Sequence, residues 1–401
     1  MKNITIFCDG TWQHLDQPYP TNVVKLARTV QPNSADKTPQ FVYYDDGVGV
    51  SEGVLDAATH LIGGVLGKGL DYKIARAYEF LCLNYEPGDR IFVFGFSRGA
   101  YTARSLAGML RWAWILKREN ASQIFAATAL YRTRPSKGAP QAQEDEFTRA
   151  CAEFRLRYCY PQEPFKAAKA YDPNDASSLT PDNDCAWIQF VGVWDTVGSL
   201  GIPSNLPFAP QINAKYHFYD TSLSTFVRSA RHALSIDERR KTFAPTLWDN
   251  IAALNANAKS DGRPYNQRPY QQQWFPGGHG YVGGGGDDGG ISLAPMLWVA
   301  EGAARAGLAF DVEELAHYGT LARPEAKFAT GGFDLGEFVM ELVGMEDRPG
   351  PASFDEVSLS TCLRFARVPE YRPPPLKRVS AVEAALSNWR PGPDPQPYYA
   401  P

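Results

Sequence analysis

The sequence has no long apolar run. No segment of its 401 residues approaches the ~20 apolar residues that a helix needs to cross a bilayer. The apolar stretch near the amino terminus, Ile4 to Cys8, is too short for a secretory signal peptide and is better explained as a first strand. We therefore expect a protein that is cytoplasmic as synthesised, and that uses a signal-independent secretion system if it leaves the cell.

Clusters of basic residues are also missing. The chain has 40 Lys and Arg residues against 44 Asp and Glu residues, which gives a net charge of -4. It has no Lys/Arg-rich run that would follow a phosphate backbone. This composition argues against nucleic acid as a partner.

Cysteine is scarce and scattered. The six cysteines include no Cys-x-x-Cys pair, so they form neither the framework of a disulfide-rich protein nor a zinc pattern. They are better explained as small apolar residues of a core. We predict no metal and no cofactor, and the pair Asp287-Asp288 is more simply a solvated turn than a calcium site.

Short apolar runs alternate with helical patterns along a chain that is 44% hydrophobic and 13% aromatic. Four runs predict strands that are buried on both faces of a parallel sheet: Ile4 to Cys8, Phe41 to Tyr44, Ile91 to Phe94 and Ile188 to Trp194. Helical spacing appears in Asn22 to Val30, Asp71 to Asn84, Tyr101 to Leu110, Ala121 to Tyr131 and Glu144 to Tyr158. The alternation predicts an α/β fold with a doubly wound, mostly parallel sheet.

The pentapeptide Gly95-Phe96-Ser97-Arg98-Gly99 joins the third predicted strand to a helical segment. Strand, Gly-x-Ser-x-Gly and helix in this order are typical of the nucleophile elbow of α/β-hydrolases, in which a tight turn lifts the serine hydroxyl above the sheet. We therefore predict that Ser97 is a nucleophile. The alternative is an ordinary Gly-rich turn whose serine only caps the helix.

A serine nucleophile needs a histidine base and an acid that orients the histidine, and in this fold both follow the serine in the chain. Asp195 stands at the carboxyl end of the predicted strand Ile188 to Trp194, where such sheets place catalytic carboxylates. The alternative is a carboxylate that caps the next turn. We predict Asp195 as the acid.

Two of the six histidines compete for the position of the base. His279 lies between glycines on a predicted loop, where the imidazole can approach the serine without obstruction. His232 lies in Thr225 to Ile236, which we predict to be helical, and fits a core or supporting position. We predict His279 as the base, and His232 is the second candidate.

The oxyanion hole is expected to combine two backbone N–H groups. In this fold one belongs to the residue after the nucleophile, here Arg98, and the other to the loop after the first strand. In that loop Gly10 allows close approach, and Thr11 or Trp12 offers the amide. Asp9, at the end of the first strand, is expected to support the site from behind.

The catalytic domain is expected to span residues 1–300. Residues 113–185 are predicted to be an insertion, which is either a cap over the active site or a peripheral pair of helices. The Gly-rich but apolar segment from Gly47 to Gly69 is either an acyl pocket or lid, or a loop with a short buried helix. Residues 301–401 are expected to add helices and a Pro-rich strap to the same domain.

Two further motifs are weaker. Asp9-Gly10-Thr11 is similar to the first motif of haloacid-dehalogenase phosphatases, but the nucleophilic Asp of that chemistry would stand where this chain has Phe7. The glycines at 278, 280 and 283 match the dinucleotide fingerprint, but Trp274 to Gly277 before them are predicted to be a turn rather than a strand.

Six segments together resemble the α/β-hydrolase domain of type VI secretion lipase effectors. They cover about the first three quarters of the chain in the expected order: residues 8–12, 43–49, 95–100, 192–198, 232–240 and 274–279. The resemblance implies an α/β-hydrolase fold and a lipid-ester or phospholipase-like hydrolase that uses Ser97, Asp195 and His279. It also implies contact with a membrane surface and a secretion or immunity partner.

One position departs from the family pattern. Similar proteins carry an Asp two residues after the histidine, where this chain has Tyr281. The alternative hypothesis is therefore a non-catalytic protein that keeps the hydrolase fold as a scaffold for binding a partner or ligand.

Overall fold

Six parallel strands form one sheet at the centre of the protein. The computed structural model describes residues 1–10, 13–47, 65–136, 138–160, 188–198, 222–287, 289–328 and 344–392. The strands are β1 Asn3–Cys8, β2 Gln40–Asp45, β3 Arg90–Phe96, β4 Ile188–Trp194, β5 Val227–Ser235 and β6 Tyr270–Phe275. Their order across the sheet is β2-β1-β3-β4-β5-β6.

Helices cover both faces of this sheet. They are α1 Asn22–Thr29, α2 Val65–Asn84, α3 Arg98–Ala113, α4 Ile124–Arg132, α5 Gln141–Tyr158, α6 Ile251–Asn257, α7 His279–Gly283, α8 Leu293–Arg305, α9 Val312–Leu321, α10 Leu359–Arg367 and α11 Ser380–Asn388. Short 3₁₀ turns occur at Arg118–Gln123, Lys241–Phe243, Tyr265–Gln267, Phe354–Glu356 and Pro374–Leu376. Within the described ranges, no helix has both the length and the apolar character that crossing a membrane requires.

Strand side chains alternate between two apolar cores, as a sheet that is buried on both faces requires. Ile6 and Val93 lie in a first core with helices α2 and α3. Phe7 and Phe94 point the other way, stack with their ring centroids 4.6 Å apart, and lie in a second core with α1 and α8. The predicted doubly wound α/β fold is confirmed.

Strands β5 and β6 were missed or misassigned by the sequence analysis. The segment predicted as helical around His232 is strand β5, and Trp274 and Phe275, predicted to lie in a turn, end strand β6. Local patterning misled the prediction because β5 carries polar residues among its apolar ones, and four of these polar side chains are buried against specific tertiary partners: Ser229, Arg231, His232 and Ser235. A strand therefore does precede the glycines at 278, 280 and 283.

Strand β2 differs from its prediction in burial. It was expected to be covered on both faces, but Phe41 and Val42 are 46% and 42% exposed. In the described part of the chain β2 pairs only with β1, on its inner side, and this edge position explains the exposure.

The described part of the predicted insertion packs beside the sheet. Helix α4 contacts α3 and α2, and α5 contacts α3 and α4. Ile124 and Ala127 of α4 contribute to the first core. Residues 161–185, the rest of this insertion, lie outside the described residues, as do residues 48–64 of the predicted lid or pocket segment.

The chain beyond α9 covers the β5–β6 side of the sheet. A third core joins Leu234 and Trp274 to the C-terminal residues Val357, Cys362, Phe365, Tyr371, Leu376, Val382 and Leu386. Thr361 Oγ1 donates a hydrogen bond to the Trp274 carbonyl over 2.9 Å. Residue 300, the predicted end of the catalytic domain, lies inside helix α8. The end of the predicted Pro-rich strap, residues 393–401, lies outside the described residues.

Candidate active site

Ser97 stands in a strained turn between β3 and α3. Its backbone has φ 58° and ψ −121°, a conformation that costs a non-glycine residue on the order of 1–3 kcal/mol. The flanking glycines permit close packing: a Cβ on Gly99 would lie 2.1 Å from the Cys8 carbonyl oxygen, and one on Gly95 2.4 Å from that of Gly99. The turn therefore exists because neither glycine carries a side chain.

The imidazole of His279 lies between Ser97 and Asp195. The Ser97 hydroxyl donates to His279 Nε2 over 2.8 Å, and His279 Nδ1–H donates to Asp195 Oδ2 over 2.6 Å. All three side chains are buried, with exposed fractions of 5%, 6% and 0% for Ser97, His279 and Asp195. The structure thus brings together the three residues that were predicted as nucleophile, base and acid.

His279 is the first residue of the short helix α7, whereas the sequence predicted a loop. The adjacent glycines do not create its space, because a Cβ on Gly280 would meet nothing within 4 Å. The glycine that the turn requires is Gly277, which has φ +103° and lies against the Tyr281 side chain. The rings of Phe96 and Phe243 pack on the imidazole at centroid distances of 4.7 and 4.8 Å.

Asp195 follows β4 and is held by donors on both carboxylate oxygens. Its backbone has φ 40°, and Oδ1 accepts the Ser235 amide over 3.0 Å. Burial alone would raise the pKa of Asp195, but the Arg348 charge and the His279 hydrogen bond outweigh burial and hold that pKa well below its ordinary range. The carboxylate is therefore ionised at neutral pH.

Arg348 is a site residue that the sequence analysis missed. Its guanidinium contacts both oxygens of Asp195, Nη1 to Oδ1 over 2.5 Å and Nη2 to Oδ2 over 2.9 Å. The side chains of Arg348 and Asp195 are 3% and 0% exposed. No local signal identifies it, since it lies in a C-terminal segment whose sequence has no motif, 153 residues from its partner.

Glu238 and Arg240 form a second charged pair beside the imidazole. Glu238 Oε2 accepts the His279 amide over 3.2 Å, and Arg240 contacts both carboxylate oxygens of Glu238. Burial would raise the pKa of Glu238, but the Arg240 contacts outweigh it and lower that pKa. Arg240 also lies 3.8 Å above the Phe243 ring. Both residues fall in a segment quoted for the family resemblance, which was the available signal.

Of the predicted oxyanion residues, Arg98 directly follows Ser97, and Gly10 lies against the ring of Phe96. Arg98 begins α3, so its amide is at the positive end of the helix dipole. Gly10 allows close approach, since a Cβ there would lie 2.8 Å from the Phe96 ring. The Gly10 amide itself donates to Asp9 Oδ1 over 2.7 Å, and Thr11 and Trp12, the predicted donors of this loop, lie outside the described residues.

Asp9 anchors the same loop from the end of β1. Its Oδ2 accepts hydroxyl hydrogen bonds from Thr21 over 2.8 Å and from Tyr44 over 2.7 Å. Burial raises the pKa of Asp9 to about 6, although these donors lower it. Asp9 therefore contacts the loop that was expected to complete the oxyanion hole, and its supporting role stays a prediction.

His232 lies behind Asp195, in β5 rather than in a helix. Its Nε2 accepts the Thr196 amide over 3.2 Å, and its Nδ1–H donates to Gln272 Oε1 over 3.1 Å. Burial and then the nearby Arg104 charge lower the pKa of His232 to about 3. The ring is thus a neutral group that holds the residue after Asp195 in place.

A cavity of about 460 Å³ opens onto Ser97 and His279. Its walls contain aromatic rings, side chains of positive and of negative charge, and glycine backbone. The lining residues besides Ser97 and His279 are Gln13, Phe96, Arg98, Glu238, Arg240, Phe243, Gly278, Gly280, Tyr281, Gly284, Gly285, Gly286 and Asp287. No described residue of the insertion lines it. Burial lowers the pKa of Arg98, one of its two cationic side chains, to about 10, so this guanidinium stays charged at neutral pH.

Among the residues with described positions, no group of three or more His, Cys, Asp or Glu side chains is arranged to hold a metal ion. The five described cysteines are buried and free. Asp288 of the predicted solvated turn, and Cys185, lie outside the described residues.

Two solved structures share features with this chain at low similarity. An uncharacterised protein from Pseudomonas aeruginosa matches with a TM-score of 0.38 and 19% identity, over 78% of this chain and 47% of its own. The Tle1 effector bound to the VgrG spike of the type 6 secretion system matches with a TM-score of 0.35 and 16% identity, over 71% and 51%.

Sequence comparison gives a stronger result. An uncharacterised protein of Saccharomyces cerevisiae is 31% identical over 254 residues, which are 60% of this chain and 32% of the yeast protein. The chain thus spans about a third of the yeast protein and about half of each solved chain. The family model described as "T6SS, Phospholipase effector Tle1-like, catalytic domain" matches residues 2–302. Since this match covers the six described strands and the Ser97, Asp195 and His279 cluster, the chain belongs to the family of Tle1-like type VI secretion phospholipase effectors, by its catalytic domain.

Proposed function

We propose that the protein is a serine hydrolase that cleaves acyl esters of lipids, with Ser97 as nucleophile, His279 as base and Asp195 as the acid that orients the imidazole. The observation that carries this proposal is the hydrogen-bond path from the Ser97 hydroxyl through His279 to Asp195, with distances of 2.8 and 2.6 Å. Membership of the phospholipase effector family supports a lipid ester as the substrate.

In the first half of the reaction, Ser97 Oγ attacks the ester carbonyl carbon while its proton moves to His279 Nε2. The imidazolium that forms is stabilised by the Asp195 carboxylate on Nδ1. When the tetrahedral intermediate collapses, the bond to the alcohol breaks and His279 gives its proton to the departing alkoxide. Ser97 is left as an acyl ester.

In the second half, water replaces the alcohol. His279 removes a proton from the water as its oxygen attacks the acyl carbon, and then returns that proton to Ser97 Oγ when the intermediate collapses. The fatty acid leaves and the serine hydroxyl is restored. Atoms balance as one ester plus one water to one acid plus one alcohol.

Charge on the tetrahedral oxygen needs backbone donors. We assign one to the Arg98 amide at the start of α3, where the helix dipole favours negative charge. The second is assigned to the loop after Gly10, which Asp9 anchors through the Gly10 amide.

The cavity wall suits an ester with an apolar chain and a polar head. Phe96 and Phe243 offer apolar surface next to the imidazole, and Arg98 and Arg240 place positive charge on the same wall. A volume of about 460 Å³ lies in the range of ordinary ligand pockets.

A protein that keeps the fold only to bind a partner is the alternative that Tyr281 supported. Tyr281 packs on Phe328 with ring centroids 5.0 Å apart and lies on the cavity wall. It does not interrupt the contact between Ser97 and His279. The described residues offer this alternative no further support.

The test is hydrolysis of nitrophenyl esters of increasing chain length and of a phospholipid, together with labelling by a fluorophosphonate. Ser97→Ala is expected to reduce turnover by at least about 10³-fold and to abolish labelling, and Asp195→Asn to reduce turnover by roughly 10³- to 10⁴-fold. Ser105→Ala is the matched control, because Ser105 is a buried serine in α3, the helix that follows Ser97. Equal turnover by wild type and Ser97→Ala would contradict the proposal.

The family's description as secretion effectors supports a second part of the proposal, that the protein acts after export and meets a secretion or immunity partner and a membrane surface. Secretion of the tagged chain in cells with and without a working type VI system tests this part. Equal amounts outside both cell types would contradict it.

A further inference from the structure

We propose that Arg348 is a positioning residue for the reaction: its guanidinium holds the Asp195 carboxylate in the orientation that His279 requires and offsets part of its charge. The inference rests on the serine hydrolase function proposed above. It places a residue beyond the matched span of 2–302 in direct support of the site.

The ion pair leaves the carboxylate no rotational freedom. Asp195 Oδ1 accepts from Arg348 Nη1 over 2.5 Å and from the Ser235 amide over 3.0 Å. Oδ2 accepts from Arg348 Nη2 over 2.9 Å and from His279 Nδ1 over 2.6 Å. Because two parallel bonds from a planar guanidinium fix both oxygens, the lone pair aimed at His279 is set by Arg348.

The guanidinium is itself anchored on two other elements. It donates to the Ser235 carbonyl at the end of β5 over 3.2 Å and to the Phe243 carbonyl over 2.7 Å. The Phe243 ring packs edge-on against the imidazole of His279. Arg348 therefore ties together the hydrogen-bond partner of the imidazole and the residue that packs on its face.

The segment that carries Arg348 is attached to the same loop as the Glu238–Arg240 pair. Glu346 N–H donates to the Arg239 carbonyl over 2.8 Å, and Lys241 N–H donates to the Gly344 carbonyl over 3.3 Å. Arg239 and Asp347 also form an ion pair at 2.9 Å. Residues 344–348 are thus paired with the loop after β5, which presents the guanidinium to Asp195.

Charge gives a signature that a purely structural residue lacks. In this mechanism Asp195 stabilises the imidazolium, and a positive guanidinium on the same carboxylate weakens that effect. Removing Arg348 should therefore strengthen the attraction between Asp195 and the imidazolium and shift the acid side of the activity profile to higher pH. The charged and titratable groups that face or surround the imidazole are Asp195, Arg348, Glu238, Arg240, Arg98, Tyr281 and Asp287, with neutral His232 behind Asp195.

The experiment uses the full chain and measures kcat, KM and the rate of fluorophosphonate labelling from pH 5 to pH 9. Arg348→Gln is expected to lower kcat roughly 10- to 100-fold with KM changed less than about threefold. The pH of half-maximal labelling should rise by about one unit. Arg348→Lys, which keeps the charge but not the bidentate geometry, should restore the pH midpoint and only part of kcat.

Arg231→Gln is the matched control. Arg231 lies in β5, and its guanidinium is buried and ion-paired like that of Arg348, here with Glu301 at 2.8 Å. Its side chain does not line the cavity. Its loss should lower the melting temperature without moving the pH midpoint.

Arg348→Gln leaves the buried Asp195 carboxylate without its counter-charge, which can impair folding. A double variant keeps the inference testable in that case. In the Asp195→Asn background, Arg348→Gln should have no further effect on labelling, because Arg348 acts through Asp195. A tenfold further loss there would overturn the inference.

Two results separate this inference from the proposed function. If Ser97→Ala abolishes labelling while Arg348→Gln keeps the wild-type kcat and pH midpoint, only the role of Arg348 is wrong. If Ser97→Ala retains full activity, the hydrolase mechanism is wrong and the role of Arg348 falls with it.

Discussion

Close contact between backbones decides which residues the serine turn accepts. Ser97 has a positive φ, yet the two glycines of its motif are required for packing, because the carbonyls of Cys8 and Gly99 occupy the space of their missing side chains. Asp195 also has a positive φ, and its carboxylate is held by four donors. Both residues thus store backbone strain that the surrounding contacts maintain.

We expect Gly99→Ala to destabilise the protein by at least about 3 kcal/mol or to prevent folding. The reason is the 2.1 Å distance between the added Cβ and a backbone oxygen, which cannot rotate away. Urea denaturation followed by circular dichroism measures the loss. Gly280→Ala is the control, since its Cβ meets nothing within 4 Å and should change stability by less than about 0.5 kcal/mol. Equal stabilities would show that the turn relaxes.

A second residue-scale prediction concerns acid stability. The pKa of His232 is lowered from 6.5 to about 3 in the folded protein. Between these pH values His232 is therefore protonated in the unfolded chain and neutral in the folded one. The stabilising contribution is therefore complete above pH 6.5 and is lost as pH falls towards 3, by up to about 4–5 kcal/mol.

His232→Gln tests this, because a glutamine amide can still accept from Thr196 and donate to Gln272 without titrating. The free energy of unfolding should fall less steeply between pH 6.5 and pH 4 in the variant than in the wild type. Parallel curves would show that His232 does not titrate in this window.

At the scale of elements, the loop after β5 contributes more to the site than its sequence suggested. It supplies Glu238, which accepts the His279 amide, and Phe243, whose ring packs against the imidazole. It also supplies Arg240, which pairs with Glu238 and lies over the Phe243 ring. Helix α10 holds the C-terminal segment against β6, through Thr361 and the Ser358 amide on the Trp274 carbonyl. The surroundings of the His279 imidazole therefore come from elements that are far apart in the chain.

Ser358→Ala should destabilise the protein by about 1–2 kcal/mol. Ser358 caps α10 by accepting the Thr361 amide, and its hydroxyl also contacts those of Ser360 and Thr361 in a buried cluster. Asp311→Ala removes a more exposed cap, on α9, and should cost less than about 1 kcal/mol. Chemical denaturation of both variants decides the comparison, and equal losses would show that the buried hydroxyl contacts add nothing.

At the scale of the whole molecule, the described residues form three apolar cores that stabilise the sheet. Two flank it, and the third covers β5 and β6 with residues from beyond α9. Because Leu234 and Trp274 have no exposed surface, the C-terminal segment is part of the folded unit that carries the site.

A chain that ends at residue 328 should therefore aggregate or unfold, and should not be labelled by a fluorophosphonate. It loses the apolar cover of Trp274 as well as Arg348. Size-exclusion chromatography and near-ultraviolet circular dichroism measure the outcome. The full-length variant Arg348→Gln keeps the C-terminal residues that pack on Trp274, so it isolates the effect of losing the Arg348 charge. A monomeric truncated chain that unfolds cooperatively and is labelled would contradict this expectation.

Part of this protein was predictable because its signals are local. The runs around Ile6 and Val93 specify strands, and Gly95, Ser97 and Gly99 specify a turn that only such a sheet accommodates. The assignment of Asp195 relied on its position after a strand and that of His279 on its glycine-flanked loop, and the structure joins Ser97 to Asp195 through the imidazole of His279. Their catalytic roles stay predictions.

The amino-acid sequence alone determined the alternation of strands and helices and the position of the serine turn, because hydrophobic periodicity and steric limits act over a few residues. Only the tertiary structure decided that His232 lies in a strand, that His279 begins a helix and that Arg348 meets Asp195. Buried polar side chains adopt whatever element satisfies their hydrogen bonds, and those partners are distant in the chain. Long-range charge pairing therefore completes a site whose outline local sequence already predicts.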